Sequence, residues 1–305
     1  MPVRADHPAL SRRAHAAVLA VASVALGLAI VLGGDATPAP AALIHTTRSA
    51  DVLSPSTPSS NWSGYAVTSS TTTPVNYTSV TGTWTVPTAT CGPGDAGASS
   101  AIWVGIGGYS LTSQALEQTG TDADCSDSGT PTYYAWYELV PADPVNLTAK
   151  VMPGDTITTS VNILPSTTGG QTVVELQVKN RTRHWTVTKK IVPSVLDTSS
   201  AEWIAEAPSN CSALKCVPVP LANFGTVTIG NIAAKGDGIG GTLTNPSWNE
   251  YPISLVPNAG RGQYAGPDRF GGFGGGSTAG ASPGAISADG RNFTVSWLAN
   301  ATTSQ

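Results

Sequence analysis

Charge is scarce in this chain of 305 residues: Asp, Glu, Lys and Arg together account for 11% of it. Helix-favouring composition is nearly absent from its body, while Gly (33) and Pro (23) are plentiful beside abundant Thr, Ser and Val. That balance excludes a helical bundle and describes many short strands joined by tight turns. Setting aside residues 1–42 removes three basic and two acidic side chains and leaves 12 and 17, a net charge of −5. No basic stripe is available to neutralise phosphates, so nucleic acid is not an expected partner. A chain with few ion pairs also loses little when acid protonates its carboxylates, so the sequence tolerates an acidic workplace.

Histidine is scarcer still, with four in the chain. Beyond residue 42 only His45, in a linker, and His184 remain, and His184 reads as an exposed strand residue beside a hairpin. A serine or cysteine hydrolase that relies on a His base has almost no candidate for it. No cluster of His, Cys and carboxylates suggests catalytic zinc, and neither a metal nor another cofactor is expected.

Long apolar runs are limited to one. Arg4, Arg12, Arg13 and His15 precede an uncharged, mostly apolar stretch from Ala16 to Gly34, and small residues follow from Thr37 to Ala42. This is the order of a secretory signal peptide cut near residues 39–42, so the chain is expected to be secreted and to keep no stable membrane association. Residues 43–60 then read as a linker or short pro-segment, and residues 61–305 as one domain. The four cysteines, Cys91, Cys125, Cys211 and Cys216, all lie in the exported part, where an even number suggests two disulfides. Their spacing favours Cys211 with Cys216 as a loop staple and Cys91 with Cys125 across a longer loop. Nothing indicates an oligomer, so a monomer is expected.

What is present is strand after strand. About thirteen short segments from Gly64 to Trp297 read as strands at fairly even spacing with no helix between them, which implies an all-β sandwich or barrel. Residues 257–290 are too Gly-rich for a regular strand and read as a long loop. Sequons occur at Asn61, Asn146 and Asn292. Two motifs are decoys. GDGIGG at Gly236 matches a dinucleotide fingerprint but is followed by a poor helix start, and DSGT at Asp127 resembles half of an aspartic-peptidase site without a second matching loop.

Carboxylates and amides survive this elimination. In SAEWIAE, Ser200 to Glu206, strand periodicity places Glu202, Ile204 and Glu206 on one face, with Trp203 and Ala205 on the other. The run AIWVGIGGYSLTSQALEQTG from Ala101 carries an amide, Gln118, at the end of a short strand read from Ala115 to Gln118, which can face that carboxylate.

Several segments together resemble the glutamic peptidases, the eqolisin family of acid endopeptidases. They are SNWSGYAV at Ser60, TGTWTVPT at Thr81, AIWVGIGG at Ala101, LEQTG at Leu116, YAWYELVP at Tyr134, SAEWIAE at Ser200, and the Cys211 and Cys216 loop leading into PLANFGTV at Pro220. The resemblance implies a curved two-sheet antiparallel β-sandwich with a concave groove for a polypeptide substrate. It also implies a catalytic dyad that falls on Gln118 and Glu206, with Trp62, Trp103, Trp136 and Glu138 lining the groove. Gly107 and Tyr134 stand where the better-known fungal pattern carries aspartates, which implies fewer acidic groups near the site. Glu206 would act as general base on water and Gln118 would position the water and the oxyanion. A non-catalytic carbohydrate- or peptide-binding sandwich is the alternative. A third reading is a glycosidase that uses two of Glu202, Glu206 and Glu138.

Overall fold

Tight turns punctuate the chain wherever alternating apolar residues break off, and the computed structural model shows strands between nearly all of them. It describes residues 43–44, 57–70, 74–165, 170–212, 215–257 and 279–299. The expected signal peptide, most of the 43–60 segment and residues 258–278 lie outside the described residues. The strands in order are β1 (Leu43–Ile44), β2 (Thr57–Ser59), β3 (Trp62–Ser69), β4 (Tyr77–Thr85), β5 (Ser99–Gly107), β6 (Leu116–Cys125) and β7 (Pro131–Val140). They continue with β8 (Val145–Asn146), β9 (Thr156–Leu164), β10 (Val173–Asn180), β11 (Trp185–Ile191), β12 (Ser200–Glu206), β13 (Ser209–Ser212) and β14 (Lys215–Pro218). The last five are β15 (Thr226–Gly236), β16 (Ile239–Gly241), β17 (Trp248–Leu255), β18 (Gly280–Pro283) and β19 (Phe293–Leu298).

The all-β expectation holds. Fourteen strands form one hydrogen-bonded path, β11-β10-β9-β4-β15-β19-β18-β17-β3-β12-β5-β6-β7-β8, with β16 beside β15 and β2 beside β17. The pairs are antiparallel except β2 with β17. A separate small sheet runs β1-β13-β14. The expected pair of sheets is therefore one continuous sheet curled on itself. Its β4-β9-β10 half packs against its β12-β5-β6 half.

Between those halves lies the main core, with Trp84, Ile102, Val104, Val161, Leu176, Trp203, Phe224 and Ile229 buried together. A second cluster, Trp62, Ala66, Ala101, Trp103, Tyr109, Leu116, Trp136, Ile204 and Ile253, covers the opposite face of β3, β12, β5, β6 and β7. Every residue of β12 and β5 is buried, because both faces of these strands are covered. Their near-continuous apolar runs follow from that double coverage.

Several expectations need correcting. Strand β6 does not stop at Gln118 but runs on to Cys125. Gly280–Pro283, inside the stretch read as a loop, forms β18 between β17 and β19. Strand already lies ahead of Asn61, in β1, which pairs with β13, and in β2, which pairs with β17. His184 is exposed as expected, yet it sits in the β10–β11 turn with φ 56°. The GDGIGG decoy is the β15–β16 hairpin, whose Asp237 and Gly238 both take positive φ (45° and 80°), as a tight hairpin turn requires. DSGT is a turn between β6 and β7 with Asp127 exposed. The two disulfides join Cys91 to Cys125 and Cys211 to Cys216.

Candidate active site

Residues paired across antiparallel strands point to the same face, so the register orders the second face in rows. One row reads Ala66, Glu202, Gly105, Gln118, Glu138 across β3, β12, β5, β6 and β7. The next useful row is Gly64, Ile204, Trp103, Gly120, Trp136. A third is Trp62, Glu206, Ala101, Asp122, Tyr134. All six residues expected at the site, Gln118, Glu206, Trp62, Trp103, Trp136 and Glu138, thus share one face, and all are buried.

Glu206 is held at both oxygens. Trp103 Nε1 donates to Oε2 at 2.8 Å and Asn61 Nδ2 donates to Oε1 at 3.2 Å. Hydrogen bonds from N–H groups favour the ionised carboxylate, the form a general base must have. Trp62 packs edge-on against Trp103, with ring centroids 5.0 Å apart and planes at 76°. Gln118 is fixed by Nε2 donating to Glu138 Oε2 at 2.7 Å, and its Oε1 has no partner among the described residues.

The register does not put the two dyad candidates directly opposite each other. Gln118 faces Glu202 across Gly105, and Glu206 stands four residues further along β12. Trp103 bridges this diagonal. A Cβ on Gly105 would lie 2.9 Å from Trp103 Cζ3 and 3.3 Å from Gln118 Cβ, so the indole's benzo edge lies over the glycine beside Gln118 while its Nε1 reaches Glu206.

Glu202 differs from Glu206 in kind. Burial pushes its carboxyl well above the usual range, Asp197 and Glu117 add to this, and the Ser200 hydroxyl opposes it. Glu117 lies on the other face of β6, opposite Ile106, and burial with a contribution from Asp197 raises it to about 9. Burial alone would also raise Asp197, but hydrogen bonds from Ser113, Ser199 and the Gly108 N–H outweigh it and hold that carboxyl below its ordinary value. Among the described residues, no three His, Cys, Asp or Glu side chains are placed to hold a metal ion.

The peptidase A4 family model matches residues 60–248. The chain belongs to the peptidase A4 family. It is accordingly a glutamic endopeptidase, and the binding-module and glycosidase readings are set aside. Among solved structures it is similar to scytalido-glutamic peptidase with a transition state analog inhibitor, at 24% identity and TM-score 0.58, covering 78% of this chain and 98% of that one. It is also similar to SCP-B, a member of the eqolisin family, in a complex with the tripeptide Ala-Ile-His, at 23% identity and TM-score 0.53 with the same coverage. A search of curated proteins gives no match.

Two departures from the glutamic-peptidase pattern look different in three dimensions. Gly107 has φ 85°, and a Cβ there would fall 2.5 Å from the Asp197 carbonyl oxygen, so this backbone leaves no room for an aspartate. Asp197 itself brings a carboxylate to the spot, accepting from the Gly108 N–H at 3.3 Å and from the Ser113 hydroxyl. Tyr134 is raised by burial and by Asp122 and Asp124, both of which it meets in hydrogen bonds. Acids from neighbouring strands and loops, Asp197, Asp122 and Asp124, thus stand beside these two positions. Sequence reading missed Asp122, whose signal was the period-two run Gln118, Gly120, Asp122. It also saw Asn61 only as a sequon, although Asn61 is fully buried and no glycan can reach it.

Proposed function

We propose that this glutamic peptidase is a secreted, acid-acting enzyme that cleaves peptide bonds with Glu206 and Gln118. The observation that carries the reading is the pair of N–H donors on Glu206. Burial of Glu206 works against its charged form, and the two N–H donors work for it, favouring the ionised carboxylate that a general base must be. An attacking water gives a proton to Glu206 as its oxygen bonds to the scissile carbonyl carbon. Glu206 then returns that proton to the leaving nitrogen as the C–N bond breaks, which restores the carboxylate.

Gln118 has two amide hydrogens. One is committed to Glu138, which leaves the other for the developing oxyanion and Oε1 to accept from the water. Such a donor is worth about 3 to 4 kcal/mol in the transition state. Trp62, Trp103 and Trp136 would flank an extended substrate. Because the dyad is buried, covering side chains must part for the substrate to enter. Export is supported by the two disulfides, which persist in oxidising compartments.

One observation favours a second reading: Gln118 shares its row with Glu202. Burial raises that carboxyl well above its ordinary value, which suits an acid better than a base. Digestion of an acid-unfolded protein, with an inhibitor of aspartic peptidases present, separates the two. Glu206→Gln and Gln118→Ala are expected to abolish cleavage while Glu202→Gln retains it. The reverse pattern moves the dyad to Gln118 and Glu202.

A further inference from the structure

Asn61 reaches the proposed base from outside the dyad, and a serine from another strand sets its direction. Its side-chain amide has a donor end and an acceptor end, and only the donor end serves a carboxylate. Ser59, at the end of β2, decides which end faces Glu206. The Ser59 Oγ accepts from the backbone N–H of Trp62 at 3.1 Å and of Asn61 at 3.4 Å, and donates its own hydrogen to Asn61 Oδ1 at 3.1 Å. With Oδ1 engaged, Nδ2 turns to Glu206 Oε1 at 3.2 Å.

The backbone pins each member. Ser59 pairs with Leu255 on β17, and its carbonyl accepts from the Val256 N–H at 2.8 Å. The Asn61 carbonyl accepts from the Ala207 N–H at 2.8 Å, one residue past Glu206. Ser59, Asn61 and Glu206 are all fully buried.

We infer that Ser59 and Asn61 are positioning residues that set the orientation of the Glu206 carboxylate. Together with Trp103 on the other oxygen they fix the carboxylate plane through groups that do not titrate in acid. The inference rests on Glu206 being the base. It also assigns a role to β2: a mature enzyme must keep Thr57–Ser59, so any pro-segment cut that preserves full turnover falls before Thr57.

The test compares purified wild-type enzyme with Ser59→Ala, Asn61→Leu, Asn61→Asp and Glu206→Gln on one peptide substrate in acid, with melting temperatures measured in the same buffer. Asn61→Asp is nearly isosteric and keeps the acceptor for Ser59 while removing the donor to Glu206. The expected result is a loss in kcat of about ten- to a hundredfold in both Asn61 variants, the scale of one hydrogen bond to a charged group. Ser59→Ala should lose less, and KM should stay within about twofold in all three, since the relay touches the base and not the substrate. If Asn61→Leu does not fold, Asn61→Asp and Ser59→Ala carry the test. A folded Asn61→Asp with wild-type kcat, or a change confined to KM or to melting temperature, overturns the relay while an inactive Glu206→Gln leaves the dyad standing. An active Glu206→Gln overturns the dyad and the relay with it.

Discussion

Trp103 does two jobs with one ring. Its benzo edge lies over Gly105 next to Gln118, and its Nε1 donates to Glu206. The packing job needs only an aromatic of similar reach, whereas the donor job needs the indole N–H. Trp103→Phe therefore separates them. Loss of one hydrogen bond to an ionised group costs about 1.5 to 3 kcal/mol. We expect kcat to fall about ten- to a hundredfold while the protein still folds, with activity assays and melting temperature as the readouts. A Trp103→Phe enzyme with unchanged turnover would show that the indole serves packing alone. Glu202 and Glu117 make the complementary point about burial. Burial dominates at both, over a backbone hydrogen bond at Glu117 and the Ser200 hydroxyl at Glu202, and raises both carboxyls, whereas two N–H groups hold Glu206.

At the scale of the element, β6 shows why glycine stands inside a buried strand. A Cβ on Gly120 would fall 2.2 Å from the Ile102 carbonyl oxygen and 2.6 Å from Trp103 Cβ, both on the neighbouring strand β5. Gly120→Ala must push β5 and β6 apart at the centre of the site. Forced overpacking of this kind costs about 1 to 3 kcal/mol, and backbone cannot yield as a side chain does. A lower midpoint in urea with an unchanged slope is expected, and an unchanged midpoint would mean that the strands part at little cost. The same strand measures how legible the sequence was. Apolar β5 and β12 were readable because both faces are covered, so their runs are nearly continuous. Strand β6 was cut short at Gln118 because Gly120, Asp122 and Asp124 look like turn residues. Their burial depends on partners more than ten residues away, such as Ser99, whose hydroxyl donates to Asp122 at 3.1 Å. Asn61 was hidden for a related reason: its contact with Glu206 spans 145 residues, a pairing no local pattern encodes. The motif order pointed to the family and to the face that carries the site, while the hydrogen bonds that orient the carboxylates follow only from the register.

Across the whole molecule, buried carboxylates set opposing limits on the pH range of stability. Glu117, raised to about 9, and Glu202, raised well above its ordinary value, bind protons more tightly folded than unfolded. Below the unfolded value of about 4.3 both states are protonated and neither group carries a penalty. As pH climbs above that value the unfolded chain gives up these protons first. Stability then falls by up to about 1.4 kcal/mol per pH unit for each group until its folded pKa is passed. Asp155 and Asp197 act with the opposite sign. Hydrogen bonds from Asn180, Arg183 and the Met152 N–H outweigh burial at Asp155, as those from Ser113, Ser199 and Gly108 do at Asp197, so both sit below their usual value. Their stabilisation is present above the unfolded aspartate value of about 3.9 and is lost as pH falls through the lowered folded values. The two trends cross near pH 4, so melting temperature should peak there, with a long decline toward neutrality. Glu117→Gln keeps the shape of the side chain and removes its proton, and should lift the melting temperature at pH 7 while changing it little at pH 4. Thermal melts from about pH 2 to about pH 8 on wild type and variant check this. A neutral limb that stays equally steep in Glu117→Gln would show that another group drives the loss, and the buried position of Glu117 would then have no bearing on acid adaptation.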